Sequence, residues 1–203
     1  MEETIRHRII ERTTAMVLSQ GVKSVRMDDI AHDLGISKRT LYEQFADKQE
    51  LLSLVVDRYL EQNRKRHEEI ASKASNIIEA LFATLEMMRE ESPVIHRLLS
   101  NLRKFYPAIY ERVMRTGGEH NRRSMRALIR VGIEQGLFMD DMNSDLSITV
   151  YYHSLTALVN GEIRIPEEMD RRGAIRQLIV GFCRMRATPE GMKAIDACCK
   201  RYR

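Results

Sequence analysis

Every clearly periodic stretch of this 203-residue chain spaces its apolar residues as a helix does, and none alternates as a strand does. Ile5, Ile9, Ile10, Met16 and Val17 mark one face over residues 3–20. Leu51, Leu52, Leu54, Val55, Val56, Tyr59 and Leu60 mark a long helix that a capping box, Asp47 to Glu50, opens and that runs to about 72. Between them lie two short helices. The first covers 27–34, with Asp28 and Asp29 in its first turn, where carboxylates suit the helix dipole. The second covers 38–44 and takes Ser37 as its N-cap. Downstream, the spacing predicts helices over 75–91, 93–104, 107–115, 119–136, 145–160, 168–186 and 189–200. Breaks are expected at Ser92-Pro93 and at Thr116-Gly117-Gly118. Ten glycines and four prolines are too few for a turn-dense sandwich or barrel, and 43% hydrophobic residues suffice for a core. The fold class is all-α.

Several function classes drop out. No run approaches the roughly 18 apolar residues of a membrane span, and Met1–Arg8 has no apolar stretch behind its charges to suggest a secretory leader. Three cysteines, two of them adjacent, make no disulfide framework, so the chain reads as cytoplasmic and reduced. An enzyme would have to draw on His96, His153 and Cys183, yet HExxH, GxSxG, the P-loop and the glycine-rich dinucleotide turn are all missing. No catalytic residue, metal site or cofactor is expected. A net charge of +4 is compatible with a nucleic-acid partner without demonstrating one.

The informative segment is Met27 to Phe45. Two short helices meet across Gly35-Ile36-Ser37, the layout of a helix-turn-helix whose second helix enters the major groove. Ile30, Ala31, Leu34, Ile36, Leu41 and Phe45 can face inward and lock the angle, with Gly35 supplying the turn. Lys38, Arg39, Thr40, Tyr42, Glu43 and Gln44 then face outward. Over residues 5–55, Gly21, Met27-x-x-Ile30-Ala31, Leu34-Gly35-Ile36-Ser37, Thr40-Leu41-Tyr42, Phe45 and Lys48-x-x-Leu51-Leu52 resemble the TetR-like family of transcriptional regulators.

The resemblance implies an N-terminal three-helix helix-turn-helix domain, residues 1–48, joined by a long helix to a larger helical effector-binding and dimerisation domain, residues 49–203. It implies a homodimer on a double-stranded DNA operator, released by a small-molecule effector, with no membrane role. Lys38 and Arg39 are expected on phosphate or guanine, Gln44 on a base edge, and Ser37, Thr40 and Tyr42 around phosphates. Lys48, at the start of the fourth helix, is expected on phosphate. Arg26 stands where the family often has a hydroxyl cap, so Arg26 and Met27 are expected to touch backbone or base. Glu43 repels phosphate and is either a cytosine reader or a specificity filter. Residues 1–48 hold eight Lys or Arg and eight Asp or Glu, so affinity must come from local arrangement and from dimeric avidity.

Beyond residue 75 no motif carries chemistry. Phe82, Met87, His96, Phe105, Tyr110, Met125 and Tyr151 are candidates for an apolar or aromatic effector pocket, against the alternative of ordinary core. The stripes Leu146, Val150, Leu155, Leu158, Val159 and then Ile175, Leu178, Ile179, Phe182 are wide enough to serve both a core and a dimer face.

Overall fold

In a computed structural model of the protein, residues 4–202 are described, apart from the side chains of 89–92, 159 and 160. Nine helices form among the described residues. They are α1 (Ile5–Gln20), α2 (Met27–Leu34), α3 (Lys38–Gln44), α4 (Lys48–Ser72), α5 (Ile77–Phe105), α6 (Pro107–Glu134), α7 (Ser144–Asn160), α8 (Arg171–Arg184) and α9 (Pro189–Arg201). Strand structure among them is limited to one antiparallel bridge, Phe138 with Ala187.

Two predicted breaks are absent. Pro93 lies inside α5, where it removes one rung of the hydrogen-bond ladder without ending the helix. Gly117 and Gly118 lie inside α6, with nothing within 4 Å of where a Cβ would stand, so no close approach demands glycine there. Each costs about 1 kcal/mol relative to alanine. Buried Val113 before them and buried Met125 and Ile129 after them hold the helix through. Local propensity is overridden by packing on both sides.

The chain folds as two compact units. The first comprises residues up to Arg66 with Glu91–Thr116, the second His67–Glu90 with the residues from Gly117 onward. The first is built on Ile9, Val17, Ile30, Leu41, Phe45, Leu51, Leu52, Val55 and Val56, and the same core takes in Leu98, Leu102, Ile109 and Val113. A boundary at residue 48 therefore cuts through one core. Leu51 and Leu52 of α4 complete the hydrophobic support of α1–α3, as do residues some 50 positions further on.

The second unit gathers Ile78, Phe82, Ile129, Phe138, Ile148, Tyr151, Ile179, Phe182 and Ile195. Two of its turns, between α6 and α7 and between α8 and α9, are tied together. Met139 N–H donates to the Arg186 carbonyl at 2.7 Å and Thr188 N–H to that of Leu137 at 3.0 Å. A Cβ on Gly191 would overlap the Leu137 carbonyl, and one on Gly132 the Phe138 ring, so both glycines are required by close approach. Burial pushes the Cys183 thiol up to about 12, which suits a packing residue.

Among the residues expected at a dimer face, Leu158, Ile179 and Phe182 are buried within the protomer, and Leu155, Ile175 and Leu178 pack half-buried against its core. Val159 lies outside the described side chains. Of the same stripes, Leu146 and Val150 on α7 stay exposed, as does Met185 just past α8. The faces of α7 and α8 that sequence periodicity marks as most apolar are consumed by their own core.

Candidate nucleic-acid interface

The reading head is built from α2, α3 and the turn between them. Ile30, Ala31 and Leu41 are buried, and Leu34 and Ile36 pack beside them. Gly35 adopts φ 64° and ψ 31°, the left-handed conformation. Its N–H donates to His32 O and that of Ile36 to Ala31 O, so the last carbonyls of α2 are satisfied within the turn. Nothing lies within 4 Å of a Cβ on Gly35. Gly35→Ala should therefore cost only backbone strain, about 1–2 kcal/mol, read as a lowered urea midpoint with an unchanged m-value. An unchanged midpoint would mean that the turn does not hold this conformation.

Long-range contacts fix the two helices. Arg12 forks onto Asp33, with one N–H donating to Oδ1 at 2.7 Å, and joins α1 to α2. That guanidinium holds the Asp33 carboxyl below its ordinary value, mainly through the hydrogen bond. Arg6 donates to the Gln44 carbonyl at the end of α3 and to Glu50 at 3.1 Å, and its guanidinium stands 4.4 Å over the Phe45 ring. Asp47 caps α4 by accepting from Glu50 N–H at 2.8 Å, while Glu50 accepts from Ala46 N–H at 2.8 Å. That last hydrogen bond, then Arg6, depresses the Glu50 carboxyl. Ser37 caps α3, its oxygen accepting from Thr40 N–H at 3.0 Å.

The outward face is mostly the one expected. Lys38, Arg39, Tyr42 and Glu43 are exposed, Tyr42 at 51%, and Thr40 and Gln44 are partly so. The hydroxyls of Ser37 and Thr40 lie 2.9 Å apart. Both α3 cations have carboxylate partners within the head. Lys38 pairs with Asp28 at 2.8 Å and Arg39 with Glu43 at 2.9 Å. Exposed pairs of this kind are worth at most about 1 kcal/mol, so a phosphate can compete for either cation. Glu43 thus neutralises its own neighbour on α3.

Two expectations change. Met27 is buried on the inward face with Ile30 and Ala31 and has no surface to offer a base. Arg26 is exposed, and the Asp29 carboxylate caps its N–H at 3.0 Å. Lys48 does not project freely. Its ammonium donates to the Val22 carbonyl at 2.7 Å, clamping α4 to the α1–α2 connection, and partial burial lowers its pKa. This partner lies 26 residues away, and no local pattern announces it.

The seven effector-pocket candidates divide between the two units. Phe82, Met125 and Tyr151 share the second unit's core, and Met87 is half-buried on α5 in that unit. His96 is exposed in the first unit, where Phe105 and Tyr110 pack against a different core.

Residues 9–55 match the sequence model of the tetR family of bacterial regulatory proteins. The transcriptional repressor KstR2 of Mycobacterium tuberculosis is 26% identical over 152 residues, covering 70% of this chain and 72% of that one. A transcriptional regulator of Cytophaga hutchinsonii has the same fold with a TM-score of 0.72 at 17% identity, over 89% of this chain and 97% of that one. So has RolR in complex with resorcinol, with a TM-score of 0.58 at 22% identity, over 95% and 92%. A helix-turn-helix locked on a buried core, a polar outward helix, the family match over that very segment and an all-helical remainder together make this chain similar to the TetR-like transcriptional regulators.

Proposed function

We propose that the protein is a dimeric, cytoplasmic repressor that holds a DNA operator and releases it when a small apolar or aromatic molecule binds the C-terminal unit. The observation that carries this reading is the α3 face, where Lys38, Arg39, Thr40 and Tyr42 stand outward on a helix whose other side is anchored by Leu41 and Phe45. Such a helix offers charged and hydroxyl donors to phosphates and base edges. Exposed Leu146, Val150 and Met185 supply apolar surface for a second copy. Two heads held about 34–36 Å apart would occupy successive major grooves. KstR2 is described as a ketosteroid transcriptional regulator, and RolR is seen with resorcinol, which supports an effector of that general character. Three helices, α4, α5 and α6, contribute residues to both units. They give a bound molecule continuous elements through which to bias the heads.

The test is binding of the full-length protein to duplexes from around its own gene and to random-sequence duplex, across a salt series. A fragment bound about a thousandfold tighter than the random duplex, with a steep salt slope, is the expected result. Weak, salt-insensitive binding to every fragment of a genomic library would overturn the reading.

A further inference from the structure

Three lysines distant in sequence converge on two adjacent aromatic rings at the junction of α5 and α6. The Lys23 ammonium, from the α1–α2 connection, lies 5.3 Å from the centre of the Phe105 ring. Lys104 lies 5.4 Å from the same ring, and Lys48 lies 5.8 Å from that of Tyr106. Lys48 also donates to Val22, the residue before Lys23, so the cluster abuts the approach to α2. Every residue involved belongs to the first compact unit.

What sets Lys23 and Lys104 apart is their partners. Elsewhere in this unit Arg6, Arg12, Lys38, Arg39, Arg58 and Arg112 are each paired with a carboxylate. Lys23 and Lys104 are exposed, and the contact each makes is with an aromatic face. A carboxylate cancels a cation's charge, whereas a ring positions the ammonium through its quadrupole and leaves the charge in place. Pre-positioned, uncancelled ammonium groups beside a DNA-reading head suit one ligand chemistry above others, the phosphodiester backbone.

We propose that Lys23 and Lys104, held on Phe105, form a second phosphate-binding site that grips the DNA backbone outside the helix-turn-helix. The site rests on the DNA-binding function proposed above. It reads no base. It adds affinity uniformly across sequences, and it compensates for a reading helix whose two cations, Lys38 and Arg39, are paired within the protein.

The experiment compares the full-length protein with Lys23→Gln, Lys104→Gln and the double variant, on random-sequence duplex and on a fragment enriched from a random pool. Each lost phosphate contact should lower the slope of log affinity against log salt by about 0.9 for each bound protomer, and affinity near 0.1 M salt about tenfold. The preference for the enriched fragment over the random duplex should not move. Lys23→Arg and Lys104→Arg should restore the slope. Lys193→Gln, an exposed charge on α9 in the other unit, should leave it unchanged. A steep wild-type slope that the glutamine variants do not alter would overturn this site alone. A wild-type protein with neither slope nor preference would overturn the DNA-binding reading, and this site with it.

Discussion

A Lys38→Ala/Tyr42→Ala variant should bind its operator at least about a hundredfold more weakly than the wild type, with its stability nearly unchanged. Both side chains are exposed on α3, and neither supports the core. The only ion pair lost, Lys38 with Asp28, is exposed on both sides and contributes at most about 1 kcal/mol. Against DNA the loss is larger. A good side-chain contact contributes roughly 1–3 kcal/mol, and about 1.4 kcal/mol is tenfold in affinity. Two contacts of about 1.4 kcal/mol each, inside that range, already give the hundredfold. Gel-shift titration at fixed salt measures the affinity, and urea unfolding confirms that the variant is folded. A folded variant with wild-type affinity would show that α3 is not the reading helix, whatever its fold resembles.

Phe45→Ala should have the largest effect on stability, about 3–5 kcal/mol. The ring is 1% exposed and sits where α3 ends, with the Arg6 guanidinium over its face. Its removal leaves a cavity under the helix that must hold its angle to the DNA, and it frees Arg6, which also bonds the last carbonyl of α3. A domain's total stability is commonly about 5–15 kcal/mol, so this one change removes a large fraction of it. Urea unfolding followed by circular dichroism should show a markedly lower midpoint, and operator binding should fall with it at room temperature. A loss under about 1 kcal/mol would mean that α3 is anchored elsewhere. The contrast with Lys38 and Tyr42 is instructive, because function is lost there without stability and here through it.

The helix-turn-helix was readable in the sequence because everything that defines it is local. Ile30, Ala31 and Leu34 repeat at three and four residues, Gly35 supplies a left-handed turn, and Ser37 caps the next helix. Such signals act within one or two turns of chain, and the structure reproduces α2 and α3 at the expected residues. The failures share the opposite property. Pro93 and Gly117-Gly118 read locally as breaks, yet the helices continue, because packing on either side outweighs a propensity cost of a few kcal/mol at most. The wide stripes on α7 and α8 read equally as core or interface. Only the fold decided that Leu158, Ile179 and Phe182 turn inward, while Leu146 and Val150 stay at the surface.

The electrostatic character of the interface was the least legible part. Composition shows as many acids as bases over residues 1–48, but not which of them meet. Lys38 finds Asp28 ten residues back, Arg12 finds Asp33 across 21, and Lys48 finds a carbonyl across 26. Lys23 reaches a ring 82 positions away. Sequence by itself determined the all-helical character, the turn and the two short helices α2 and α3, since these follow from periodicity and backbone conformation. Tertiary structure alone decided which cations are cancelled and which are left charged, since charges interact through space and the chain brings distant residues to within a few ångströms.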